Sequence, residues 1–243
     1  MNATKKIKYK VVGKKIEAPK VATLLLSSSP DLPPYCPGQF IDIYFPEFGF
    51  SQGKSYSISS APSEDKFSIT IKAIGEFSNR LFKLKEGDIV TGSLPYGFFY
   101  SDLENTHLVM LAGGIGIAPF RATIMEYLMK NSKINKRKIS LFYSSRTEED
   151  IIFKNEINLW RAGHPNLRIK HFITREKKVA KDKEQGRITA KHILKEISAL
   201  ENSLENIEFL ICGSIAFVRD MRKSLRAEGV PENLIYTEAF FSH

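Results

Sequence analysis

Two cysteines, a single tryptophan and a shortage of acidic residues set the first limits on this 243-residue chain. Cys36 and Cys212 cannot supply the four thiolates of an iron–sulfur cluster or of an all-cysteine zinc site. No metal site is expected, so any one-electron metal centre has other ligands or sits on another protein. No apolar run approaches the roughly 20 residues that span a bilayer, so no membrane insertion is expected. The first ten residues, M-N-A-T-K-K-I-K-Y-K, are basic with no apolar segment behind them, which does not read as a secretory signal. With nothing pointing to an oxidising compartment, the expected location is the cytoplasm. Asp and Glu number 27 against 36 Lys and Arg, a formal charge of +9. That excess serves solubility, or it serves an acidic partner or an anionic cofactor. Nucleic acid is not the expected partner. The lysines are dispersed, and the densest run, Arg175–Lys183, reads as a solvated loop without interleaved aromatics.

What is present divides in two. Through about residue 104, short alternating runs are split by Pro and Gly: Ile7–Val12, Val21–Ser27, Phe40–Phe45, Ser55–Ser59, Phe67–Ile71 and Ile89–Ser93. Many short strands with turn signals between them predict an antiparallel Greek-key barrel or sandwich, and only Ser78–Leu84 reads as helix. From His107 the pattern changes. Apolar runs Leu108–Ala112, Ile139–Tyr143, Leu167–Phe172 and Phe209–Cys212 alternate with helical segments Pro119–Lys130, Glu149–Arg161, Thr189–Leu200 and Ala216–Glu228. Strand–helix alternation predicts a parallel sheet covered on both faces. The expected domains are therefore 1–104, a β-barrel, and 105–243, an α/β domain, with the boundary near Leu103–Thr106. In parallel sheets ligands bind beyond the carboxyl ends of strands. Gly113–Gly116, Ser144–Arg146 and Gly213–Ser214 all fall at such ends.

Leu108–Arg121, L-V-M-L-A-G-G-I-G-I-A-P-F-R, runs from a buried strand through Gly113, Gly114 and Gly116 to Pro119 in a first helical turn. Glycines admit close approach of an anion, free N–H groups at the helix start face it, and proline needs no N–H partner there. A tight strand-to-helix turn is the alternative. In Lys54-Ser55-Tyr56-Ser57-Ile58-Ser59-Ser60, alternation puts Lys54 and Tyr56 on one face. Lys54 could neutralise a phosphate, Tyr56 could pack on a planar ring and Ser57 could hydrogen-bond the ring's edge; an ordinary strand is the alternative. In Gly75-Glu76-Phe77-Ser78, the Ser78 hydroxyl and neighbouring N–H groups could hold a phosphate or could simply cap a helix.

In order, K-S-Y-S-I-S-S, G-E-F-S, A-G-G-I-G-I-A-P, I-C-G-S and Y-T-E-A-F resemble the ferredoxin–NADP reductase superfamily of flavin-dependent NAD(P)H oxidoreductases, over nearly the whole chain. The resemblance implies an FAD-binding barrel followed by a nucleotide-binding α/β domain. It implies that Tyr56 stacks on the isoalloxazine, that Ser57 hydrogen-bonds near flavin N5, and that Gly75, Phe77 and Ser78 border the FAD pyrophosphate. Ile71 and Lys72 would lie on the strand lining the flavin. Gly113, Gly114, Gly116 and Pro119 would hold the pyrophosphate of NAD(P)H. Cys212 and Gly213 would shape the place where nicotinamide meets flavin, with Glu238 and Phe240 bordering it. Position 54 is Lys where the family has Arg; a point charge replaces a planar fork. FMN or weaker FAD binding would follow, although Gly75–Ser78 offers a second phosphate contact and favours FAD. Ser145 and Arg146 fall where the adenosine ribose should lie. A cation and hydroxyls there lean toward NADPH, whereas an arginine stacking on adenine would serve NADH equally.

The implied activity is electron transfer from NAD(P)H through flavin to an external acceptor: a ferredoxin, a flavodoxin or an oxygenase component with an acidic surface. A flavin or ferric-chelate reductase with a diffusible acceptor is one alternative. A non-catalytic flavin-binding subunit of a larger complex is another. The family's pyrimidine-pathway electron-transfer subunits carry a C-terminal cysteine cluster, and this half has only Cys212.

Overall fold

The computed structural model describes residues 5–29, 31–101, 106–130, 137–164, 166–201 and 203–240. The elements are β1 (Lys6–Ala18), β2 (Val21–Ser29), β3 (Phe40–Phe45), β4 (Phe50–Ser57), β5 (Phe67–Lys72), α1 (Glu76–Lys83), β6 (Ile89–Ser93), β7 (His107–Gly113), α2 (Ile117–Lys130), β8 (Ile139–Ser145), α3 (Lys154–Gly163), β9 (Leu167–Ile173), β10 (Glu184–Gln185), α4 (Ala190–Ser198), β11 (Ile207–Ser214), α5 (Ile215–Ala227) and β12 (Ile235–Phe240). Among the described residues they form two compact units, one within 5–100 and 118–130, the other within 101–117 and 137–240. The boundary expected near Leu103–Thr106 falls mainly on 102–105, which lie outside the described residues.

In the first unit, an antiparallel sheet runs in the order β4-β3-β6-β1-β2-β5. Its two ends meet through an Ile58–Ile69 bridge and the Ser59 N–H donating to Ser68 O at 2.9 Å, so the sheet closes on itself. Alternate residues Ile7, Tyr9 and Val11 of β1 and Ile41, Ile43 and Phe45 of β3 point into one core. The buried Tyr9 hydroxyl donates to Ser93 O at 2.7 Å, which removes the penalty of an unpaired donor. α2 is tied into this unit by Arg121, which donates to both Glu64 carboxylate oxygens and to Ser59 O.

The second unit is a parallel sheet ordered β10-β9-β8-β7-β11-β12. Leu108 through Ala112 are all buried, the run expected of a strand covered on both faces. α4 and α5 bury Ile193, Ile197, Val218, Met221 and Leu225 against Val109, Leu111, Phe209 and Ile211. Two local expectations change. The third predicted helix begins at Lys154, not Glu149: Ile151, Ile152 and Phe153 form a buried turn, with Phe153 at φ 59° and the Ile152 N–H donating to the Tyr143 hydroxyl at 3.2 Å. The Tyr-Thr-Glu-Ala-Phe segment, read as a motif only, is strand β12, in register with β11 from Phe209↔Ile235 to Ser214↔Phe240.

Candidate functional site

The first unit gathers Lys54, Tyr56, Ser57 and the Gly75–Ser78 turn. Phe77 is buried, with ring centroids 5.0 Å from Phe45 and 5.2 Å from Phe50. The half-buried Tyr56 ring lies nearly parallel to Phe77, at 6.3 Å and 22°, and the exposed Lys54 ammonium stands 5.5 Å above the Phe77 ring. The two predicted ligands on β4 thus converge on the start of α1. Ser78 sits in the first turn of that helix. Its hydroxyl accepts from the N–H groups of Ile74 at 2.9 Å and Gly75 at 3.1 Å and donates to Gly75 O. The hydroxyl is therefore engaged in capping. The N–H groups of Glu76, Phe77 and Ser78 are the donors that a helix start leaves for an anion.

Gly75 has an ordinary φ of −118°, and a Cβ added to it would meet nothing within 4 Å. Neither backbone strain nor protein packing requires glycine there, and the space before the α1 N-terminus is open. Ser57 is buried and its Oγ has no hydrogen-bond partner, an uncompensated polar atom of the kind that a missing ligand explains. These observations fit a planar, phosphate-bearing cofactor. Ile71 is fully buried in the core, so only its backbone is available to such a ligand; Lys72 follows it, half-buried, at the end of β5.

In the second unit the glycines have different duties. Gly114 has φ +55° and open space around it. A Cβ on Gly116 would lie 2.1 Å from Cys212 O and 2.7 Å from Gly213 N, so backbone crosses backbone there. A Cβ on Gly113 or Gly213 would strike the Phe217 ring at 2.9 or 2.8 Å. Together they seat the loop against the end of β11. Pro119 is buried in the first turn of α2.

Cys212 lies across from Ala112 of β7 and Glu238 of β12 and is fully buried. Burial, with the Glu238 carboxylate nearby, pushes its thiol well above the usual range, which keeps it protonated and non-nucleophilic. Glu238 Oε2 is buried without a hydrogen-bond partner, and burial raises its carboxyl to about 7. A carboxyl raised on folding binds its proton more tightly in the native state. It therefore lowers stability progressively as pH rises from the unfolded value through about 7. Glu238→Gln should gain stability relative to the parent at pH 8 and show no gain at pH 4. Denaturant titrations at the two pH values measure this; an equal difference at both would remove the titration from Glu238. Phe240, half-buried, ends the same strand opposite Ser214.

Ser145 and Arg146 separate. Ser145 is buried, its hydroxyl 3.1 Å from His171 Nε2, a partner that nothing in the linear sequence signals. Arg146 is exposed. The Arg175 N–H donates to Arg146 O at 2.8 Å, so two exposed arginines stand at adjacent strand ends, with no ion pair among the described residues. No group of three or more His, Cys, Asp or Glu among the described residues could hold a metal ion, and no described helix is long and apolar enough to cross a membrane.

Residues 110–223 match the family model of the oxidoreductase NAD-binding domain. The chain is 28% identical over 248 residues to a flavohemoprotein of Bordetella pertussis, covering 96% of this chain and 60% of that protein. It is 27% identical over 207 residues to the sulfhydrogenase 2 subunit gamma of Pyrococcus furiosus, covering 82% and 70%. The FAD/NAD-binding domain of nitric oxide dioxygenase from Vibrio cholerae superposes with a TM-score of 0.81 at 25% identity, covering 96% and 98%. Ferredoxin–NADP+ reductase from Plasmodium falciparum shares the fold, with a TM-score of 0.80 at 19% identity and 99% of each chain covered. In fold the chain is similar to the ferredoxin–NADP reductase-like flavin oxidoreductases, and residues 110–223 carry the pattern of the oxidoreductase NAD-binding domain. The chain spans about 60% of the length of the flavohemoproteins it matches.

Proposed function

We propose that this chain is an NAD(P)H-dependent flavoprotein reductase, with residues 1–104 binding FAD and residues 105–243 binding the nicotinamide nucleotide. The observation that carries the reading is the pair of buried, unpartnered polar atoms, Ser57 Oγ and Glu238 Oε2, on the two motifs expected to border the reacting rings. Bound flavin supplies a two-electron acceptor for nicotinamide and a one-electron donor for the next protein. The protein's part is positional. Tyr56 packs on the ring system and Ser57 hydrogen-bonds its edge. The α1 N-terminus, Gly75 and Lys54 hold the pyrophosphate, the contact that favours FAD over FMN. Gly113, Gly114 and Gly116 bring backbone N–H groups to the nucleotide pyrophosphate, while Cys212 and Gly213 leave room for the nicotinamide. Glu238, half-ionised near neutrality, can hold or release a proton at Oε2.

The acceptor is a separate, acidic redox protein, a choice favoured by the formal charge of +9. The two free cysteines suit the cytoplasm. The purified protein should carry a flavin that NAD(P)H bleaches in stopped flow. Protein that retains no flavin, or flavin untouched by either donor, would refute the reading.

Arg146 and Arg175 favour NADPH. Arg146→Ala should raise the KM for NADPH about tenfold, the scale of one charge-assisted contact, and leave that for NADH within about twofold. Equal effects on both donors would remove Arg146 from recognition of the 2′-phosphate.

A further inference from the structure

The outer edge of β12 and the flank of α5 form a groove that none of the cofactor contacts uses. Among the described residues β12 is the last strand of its sheet and pairs with β11 alone. An edge strand presents unpaired N–H and C=O groups on which a second chain can add a strand. Such edges are commonly guarded by lysine, proline or a bulge. Ile235–Phe240 contains neither residue, and its register with β11 is unbroken.

α5 overlooks this edge. Arg219, Arg222, Lys223 and Arg226 recur at helical spacing on one stripe, Met221 and Leu225 are buried on another, and Val218 lies at the border between the two. The groove has a volume of about 610 Å³, and its apolar floor is Ile215, Val218 and Ala239 beneath those four cations. Two carboxylates answer them: Asp220 pairs with Arg219 at 2.8 Å, and Glu232 pairs with Arg222 and with Arg226. Lys223 makes no ion pair among the described residues. Positive charge is left in excess over an apolar floor, beside a row of free backbone groups.

We propose that this groove docks an extended, acidic segment of the electron-accepting protein as an added strand beside β12. The proposal rests on the reading above, in which the acceptor is a separate redox protein. Backbone pairing would fix the segment's direction, alternate apolar side chains would cover Ile215 and Ala239, and alternate carboxylates would meet the α5 stripe. Ala239 lies between Glu238 and Phe240, so a segment seated here is one residue from those assigned to the reacting rings. The apolar floor distinguishes a polypeptide from a phosphodiester chain, which has no apolar face to place on it.

The test uses the full chain and a fluorescein-labelled decapeptide of alternating Glu and Val, with alternating Lys and Val as control. The acidic peptide should bind saturably by anisotropy, weaken at about 0.5 M salt, and slow amide exchange within residues 236–240. The double variant Arg219→Glu, Lys223→Glu should lose at least about tenfold in peptide affinity, while NAD(P)H-dependent ferricyanide reduction stays within about twofold. No binding of the acidic peptide, equal binding of the basic one, or affinity unchanged by the double variant would overturn the proposal. Peptide binding is read without donor or acceptor turnover. Failure of ferricyanide reduction in the unaltered protein would therefore count against the reductase reading alone.

Discussion

Gly116→Ala should destabilise the protein by about 3 kcal/mol, the upper range for forced overpacking. That corresponds to a fall in Tm of about 6–12 °C for a chain of this size. The added methyl would sit 2.1 Å from Cys212 O and 2.4 Å from Cys212 C, both backbone atoms in a strand paired on two sides. A flexible side chain could move aside; this strand cannot without breaking its pairing with β7 or β12. Either the glycine loop lifts off or β11 shifts, so NAD(P)H binding should be lost with stability. Thermal unfolding with and without nucleotide reads both effects. A variant with unchanged Tm and unchanged nucleotide stabilisation would show that the loop does not sit against Cys212. Gly114→Ala is the informative neighbour. It meets no atom and is opposed only by its φ of +55°, a penalty of about 1–2 kcal/mol.

Gly75→Val should do the reverse: keep the fold and lose the flavin. Its extended backbone accepts any residue, and the added Cβ meets nothing in the protein. Valine is a poorer N-cap than glycine, which should lower stability by about 1 kcal/mol or less. The branched side chain would occupy the space before the α1 N–H groups. Losing two charge-assisted contacts there should weaken flavin binding at least about a hundredfold. Flavin fluorescence during titration of the apoprotein measures the affinity, and circular dichroism checks the fold. Stoichiometric flavin in Gly75→Val would remove that turn from the pyrophosphate site. The pair of variants separates a glycine needed by the chain from one needed by the ligand.

The sequence alone determined the two-unit division of pattern. Period-two alternation in Ile41, Ile43 and Phe45 marks a strand with one buried face, and the unbroken Leu108–Ala112 run marks a strand buried on both. It also placed the glycine turn between β7 and α2, because glycines before a helix start are a local signal. Three features were decided only by tertiary contact. The turn at Ile151–Phe153 reads as helix locally, but the Tyr143 hydroxyl and burial of three apolar side chains hold it out of the helix. Ser145 reads as a hydroxyl offered to the adenosine ribose, but His171, 26 positions away, takes that hydroxyl into the interior. The distinct duties of Gly75 and Gly116 are invisible in their letters, since each depends on which backbone, if any, passes within a few ångströms. Periodicity and turn chemistry are properties of neighbours in sequence; burial, hydrogen-bond satisfaction and steric room are set by residues that only the fold brings near.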